Sequence, residues 1–142
     1  MKYIALLRGV NVGGNNKLPM PALKAAFIRA GFSDAATYIN SGNVVFSDPE
    51  TDLVSLAERC QAIIRDEFRL DIAVCIVAAE ELRAALAHAP PWWNADPEAK
   101  HNAIFVIPPA TAEDIFAQVG AIKPEYERVD FYGRVIFWTA PL

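Results

Sequence analysis

The order in which two hydrophobic periods alternate over the first 77 residues limits this chain to very few folds. Tyr3 to Leu7 is a short apolar run of the kind that makes a buried strand. Pro21 suits the first residue of a helix, where its missing N–H is not needed. Leu23, Ala26, Phe27 and Ala30 then recur at helical spacing, and Gly31 stops them. Ala36 to Ile39 and Val44 to Ser47 are strand-like, and Asn40-Ser41-Gly42-Asn43 between them has the residues of a tight hairpin. Asp48-Pro49 is expected to open the next helix, as cap and first residue. Its apolar stripe is Leu53, Leu56, Ala57, Cys60, Ile63 and Ile64. Ile72 to Val77 is a further strand.

Residues 3 to 77 thus spell β-α-β-β-α-β, the split βαβ or ferredoxin-like plait, an α+β arrangement with helices on one face of an antiparallel sheet. A short helix near Ala79 to His88 and a link rich in proline and tryptophan, Pro90 to Pro97, follow. Ala103 to Ile107 is expected as a strand. Thr111-Ala112-Glu113-Asp114 resembles a capping box and starts a helix toward Val119. Tyr126 to Phe131 and Arg134 to Thr139 form a hairpin around Tyr132-Gly133. The second half therefore spells β-α-β-β, an incomplete plait. The expected organisation is a plait over 1–78 and a second α+β subdomain over 79–142. Trp92 and Trp93 are expected to plug the seam between the halves, and His88 and His101 to be surface or linker residues.

With 54% hydrophobic and 21% charged residues, the chain can build a core and is not globally disordered. Its formal net charge of -4 disfavours nucleic acid as a partner, which calls for a basic surface. The strands also lack the K/R-G-F-x-F signature of sheets that stack RNA bases. No run approaches the roughly 20 apolar residues of a membrane span, so no membrane partner is expected. Cys60 and Cys75 lie inside apolar patterns and are read as reduced core residues of a cytoplasmic protein. Arg59, Arg65 and Arg69, interleaved with Glu58, Asp66 and Glu67, read as a solvated mixed-charge face.

The plait places its first two strands parallel, so the loop after strand one and the hairpin after strand two should leave the sheet at one end. The loop is Leu6-Leu7-Arg8-Gly9-Val10-Asn11-Val12-Gly13-Gly14-Asn15-Asn16-Lys17. Arg8, Asn11, Gly13, Gly14, Asn15 and Lys17 should gather there with Tyr38, Asn40, Ser41 and Asn43. Glycine lets backbone approach a ligand, successive N–H groups can cradle an anion, and arginine can pair bidentately with phosphate or carboxylate. The expected partner is a small anion: phosphate, nucleotide or carboxylate.

The loop matches no nucleotide signature. Gly9 and Gly14 have the P-loop separation, but Asn15-Asn16 follow them and Lys17 arrives two places late. Asn11 stands where the dinucleotide fingerprint needs its second glycine. The loop and hairpin hold no Asp, Glu, His or Cys. Ser41 and Tyr38 are the only nucleophile or acid there, and no base lies near them in sequence. No catalytic residue, metal site or cofactor is therefore assigned. Two alternatives to the anion module stay open: an enzyme on a phosphorylated or carboxylated metabolite that draws its base from the second half, and an interaction protein whose Gly/Asn loop is purely architectural.

Ala5-Leu6-Leu7-Arg8-Gly9-Val10-Asn11-Val12-Gly13-Gly14, Lys17-Leu18-Pro19-Met20, Leu23, Gly31-Phe32 and Thr37 to Phe46 resemble the bacterial domain-of-unknown-function family 1697. Pro91-Trp92-Trp93 and Val135 to Trp138 extend the likeness toward the C-terminus. The resemblance implies a two-part α+β protein with a plait-like first half and carries no established activity. Members of the family usually continue past the last hairpin with a further helix and a T-x-R-N-x-x-T-like segment, whereas this sequence stops at Thr139-Ala140-Pro141-Leu142. A β-α-β-β unit without a second helix leaves apolar sheet surface and an open edge, which favours pairing. A homodimer through the second half is therefore expected. Sedimentation equilibrium at micromolar concentration should return twice the monomer mass, and a monomeric mass would reject it.

Overall fold

The computed structural model describes residues 1–11, 16–38, 42–107, 110–118 and 128–141. The element order is β1 (Lys2–Leu7), α1 (Met20–Arg29), β2 (Ser33–Tyr38), β3 (Asn43–Ser47), α2 (Leu53–Phe68), β4 (Val74–Ala78), α3 (Ala79–Ala87), β5 (Ala99–Phe105), α4 (Ala112–Gln118), β6 (Arg128–Tyr132) and β7 (Val135–Pro141). These fall into two compact units, Met1–Glu81 and Leu82–Leu142. Among the described residues no helix is long and apolar enough to cross a membrane.

In the first unit four strands form one sheet in the order β2-β3-β1-β4, and every neighbouring pair is antiparallel. Strand residues alternate between faces, so Tyr3, Ala5 and Leu7 of β1 point one way with Val44 and Phe46 of β3. The stripes of α1 (Met20, Leu23, Phe27) and α2 (Leu56, Cys60, Ile64) share one buried cluster with them. Tyr3, Phe27, Phe32 and Phe46 form the aromatic centre, with Phe32 and Phe46 ring centroids 4.6 Å apart. β4 is buried from Val74 through Val77, as its unbroken apolar run requires.

Helix α2 does not begin at Asp48-Pro49. Its cap is Asp52, whose carboxylate accepts from the Val54 and Ser55 N–H groups. Asp48 faces inward instead, 8% exposed, and is held by the Glu50 N–H at 2.9 Å and the Arg59 guanidinium at 3.2 and 3.4 Å. Both aspartates precede an apolar stripe, so sequence pattern alone did not separate them. Arg59 also lies 4.3 Å over the Phe32 ring, so this partly exposed side chain of the mixed-charge face reaches in to Asp48 and the aromatic centre. The Tyr3 hydroxyl donates to the Glu50 carbonyl at 2.6 Å, and the amino terminus donates to the Asp48 carbonyl at 3.1 Å. Residues 48–50 are thereby tied to β1 and α2.

The second unit is a three-stranded antiparallel sheet, β5-β7-β6. On one face Val135 and Phe137 pack with Ala85, Ala89, Trp92, Trp93 and Phe105. On the other, Ile136 packs with Val106, Ala112, Ile115, Val129 and Phe131. The Trp93 ring meets Phe137 edge-on, and its N–H donates to the Asn102 carbonyl at 2.9 Å. Strand β5 begins four residues before its expected start because Ala99 to Asn102 pair with the end of β7. His101 accordingly sits within a strand. His88 directly follows α3, donates to the Ala84 carbonyl and stacks on Tyr132.

Burial by itself would raise the Asp48 pKa, but the Glu50 N–H and the Arg59 guanidinium outweigh it and hold the carboxyl below its ordinary value. A depressed folded-state pKa adds stability above the unfolded value of about 4, and that stability is lost as pH falls through the lower folded value. Asp48→Asn should therefore flatten the acid limb of the stability curve below about pH 4. Urea denaturation across that range checks this, and an unchanged acid limb would contradict it.

Candidate functional site

Strands β1 and β2 are both antiparallel to β3, so they run in the same direction. The turn after β1 and the hairpin after β2 consequently leave the sheet at one end. Strand β4, antiparallel to β1, is entered at that same end. Three backbone segments meet there: Leu7 N–H donates to Gly42 O at 2.9 Å, and Arg8 N–H donates to Ala73 O at 3.0 Å. Below them Val10 and Leu18 are each 1% exposed and join the main core, which anchors both sides of the loop.

Gly42 is dictated by this meeting. Its φ is +84°, and a Cβ there would run into Val10 Cγ2 and lie 2.9 Å from Leu7 Cβ. Any side chain would push the hairpin away from β1.

Asn11 closes the loop. Its backbone is left-handed at φ 55°, which asparagine tolerates better than other side-chain-bearing residues. Its carboxamide Nδ2 donates to Leu18 O at 2.9 Å and its Oδ1 accepts from Leu18 N–H at 2.7 Å. The side chain thus replaces a backbone partner on both sides of Leu18. Asn11 N–H donates to Asn16 O at 3.1 Å, and Asn16 Nδ2 donates to Gly9 O at 3.2 Å. Asn43 Nδ2 donates to Tyr38 O at 3.2 Å across the hairpin. Asn16 was not among the sequence candidates. Its signal is an amide residue five positions after another in a glycine-rich loop, a pattern that local side-chain-to-backbone bonding explains.

Of the ten sequence candidates, Arg8, Lys17 and Tyr38 present exposed side chains at this end, with Tyr38 68% exposed. Asn11 and Asn43 are half-buried and bond the backbone of their own turns. Gly13, Gly14, Asn15, Asn40 and Ser41 lie outside the described residues. Among the described residues neither Arg8 nor Lys17 makes an ion pair. Helix α1 starts from this end with no acidic residue in its first turn and no side-chain cap, so its positive dipole end is not neutralised locally. The described residues of the loop and the hairpin hold no carboxylate, imidazole or thiol to move a proton. Cys60 is no substitute nucleophile, because burial pushes its thiol up to about 12. Among the described residues no three metal-ligating side chains cluster.

The chain belongs to the family described as "Protein of unknown function (DUF1697)", whose model matches residues 1–137. No curated protein matches it. Among solved structures it is similar to the conserved bacterial protein SP0830 from Streptococcus pneumoniae, with 26% identity and a TM-score of 0.84. That likeness covers 99% of this chain and 77% of the other.

Two substitutions separate the roles of the loop residues. Asn11→Ala leaves both polar groups of Leu18 unpaired and places alanine in a left-handed conformation, at a cost of about 2–4 kcal/mol. Gly42→Ala combines a positive φ with overpacking and should cost at least about 2 kcal/mol. Denaturant midpoints at constant m-value measure both, and a loss under about 0.5 kcal/mol in either would contradict the geometry.

Proposed function

We propose that this member of the DUF1697 family is a binding module for a small anion, held at the rim where β1, the β2–β3 hairpin and the start of β4 meet. The observation that carries this reading is the pairing of fixed backbone with free charge. Arg8 is pinned through its N–H to Ala73, yet its exposed guanidinium has no ion-pair partner among the described residues. Lys17 adds a second cation directly before buried Leu18, and the start of α1 adds a partial positive charge. A phosphate or carboxylate bound there would gain charge-assisted hydrogen bonds without requiring the backbone to reorganise.

We infer that the first unit is a ferredoxin-like plait, supported by its β-α-β-β-α-β order and the strand sequence β2-β3-β1-β4. The second unit is read as two-thirds of such a plait. Its β5-α4-β6-β7 order and β5-β7-β6 arrangement repeat the relation of β1, α1, β2 and β3.

One observation favours a second reading, in which the rim is only architecture for an interaction protein. Asn11, Asn16 and Asn43, the residues best equipped to read a ligand, bond their own turns. The two readings part at Arg8 and Lys17, which the architectural role does not need.

Isothermal titration of the full chain with inorganic phosphate, pyrophosphate and AMP should show saturable binding of at least one of them at low salt. Arg8→Ala and Lys17→Ala should each weaken it about tenfold or more while leaving the unfolding midpoint within about 0.5 kcal/mol of wild type. Absence of saturable binding, or affinity untouched by Arg8→Ala, would favour the architectural reading.

A further inference from the structure

The second unit contains a cleft of about 650 Å³ that sequence patterns did not indicate. Its floor follows from strand register. Thr139 of β7 pairs with His101 of β5 on one side and Arg128 of β6 on the other. Cross-strand partners share a face, so the three side chains form one row across the sheet. The row lies on the face that carries Phe137 and Val135, two and four residues back along β7. Trp92, at the margin of that apolar cluster, lines the cleft together with Asp96 and Glu98.

The polar atoms of this row are sorted by their hydrogen bonds. The Asn94 N–H donates to His101 Nδ1 at 3.0 Å, and His101 Nε2 meets the Asp96 carbonyl at 2.6 Å. A carbonyl only accepts, so Nε2 carries the proton and Nδ1 is the acceptor. The Thr139 hydroxyl, 2.8 Å from Nδ1, must then be the donor in that contact. What Thr139 offers to the cleft is therefore lone pairs. The Asp96 carboxylate is fixed by the Glu98 N–H at 2.9 Å.

The cleft thus has two chemical ends. Asp96, Glu98, the Thr139 oxygen and the Trp92 ring all suit a cation, because carboxylates and lone pairs accept from an ammonium and an indole face attracts it. Arg128 suits a carboxylate. Acid and base line one cavity, yet among the described residues Arg128 makes no ion pair with either carboxylate. A ligand with one charge would satisfy only one end. We propose that this cleft binds a small zwitterion, an ammonium and a carboxylate on one short skeleton as in an α-amino acid or a betaine, with the ammonium toward Asp96 and Glu98 and the carboxylate on Arg128. This site is separate from the rim of the first unit and stands or falls without it.

Titration calorimetry of the full chain with L-alanine, L-serine and glycine betaine tests the proposal, with acetate and methylamine as single-charge controls. At least one zwitterion should bind saturably, and both controls should bind about tenfold more weakly or not at all. Arg128→Gln and Glu98→Gln, both at exposed positions, should keep the wild-type circular dichroism and each lose about tenfold in affinity for that zwitterion. No saturable binding by any of the three zwitterions would overturn the proposal. So would methylamine binding as tightly as the zwitterion, or affinity unchanged in Arg128→Gln.

Discussion

Strand β3 is paired antiparallel on both of its sides, and that double pairing organises the first unit. It makes β1 and β2 parallel without their touching, and so sends two turns rich in glycine and asparagine to one end of the sheet. The pairing holds because Val44 and Phe46 are wholly buried against both helices while Asn43 and Val45 face away. A one-residue slip would expose Phe46 and bury Asn43, exchanging apolar for polar surface in the core. The register of β3 is therefore as firm as the core itself, and the geometry of the rim inherits that firmness.

Within the rim, structural and chemical work fall to different residues. Gly42 allows the hairpin to close on Leu7 and Val10, and Asn11 supplies the hydrogen bonds that Leu18 would otherwise lack. Arg8 and Lys17 are spared that work; Arg8 stands on a backbone tied to Ala73, and Lys17 directly precedes buried Leu18. Preorganised backbone carrying unsatisfied charge lowers the entropic cost of binding, which is why a rigid loop and an exposed guanidinium together suit recognition. The second unit follows a similar logic with a different outcome. His101 spends its ring on the Asn94–Asp96 turn and on Thr139, and so fixes the wall of a cleft that carries both signs of charge.

The element order was legible because each apolar period in the first 77 residues has a single interpretation. α1 carries Pro21 in its first turn and ends before Gly31, and β3 alternates cleanly. Legibility failed where two residues compete for one local role. Asp48 and Asp52 both precede the α2 stripe; long-range contacts with Arg59 and the amino terminus drew Asp48 inward and left the cap to Asp52. It failed again where cross-strand register decides. Nothing near His101 in sequence announces Thr139 and Arg128, because the three come together only through β7. In the rim, composition pointed to two segments that leave the sheet at one end but not to the division of labour between their residues. An asparagine that reads a ligand and one that closes a turn look identical in sequence.

The proposed function depends on whether the fixed rim meets an anion. A nitrogen-15 NMR titration of the full chain with inorganic phosphate tests this residue by residue, since amide shifts report bound charge locally. Saturable shifts should concentrate at Arg8, Lys17 and Gly42 and in the first turn of α1, with the second unit unmoved. Shifts that are absent, that rise linearly without saturation, or that spread evenly over both units would contradict it.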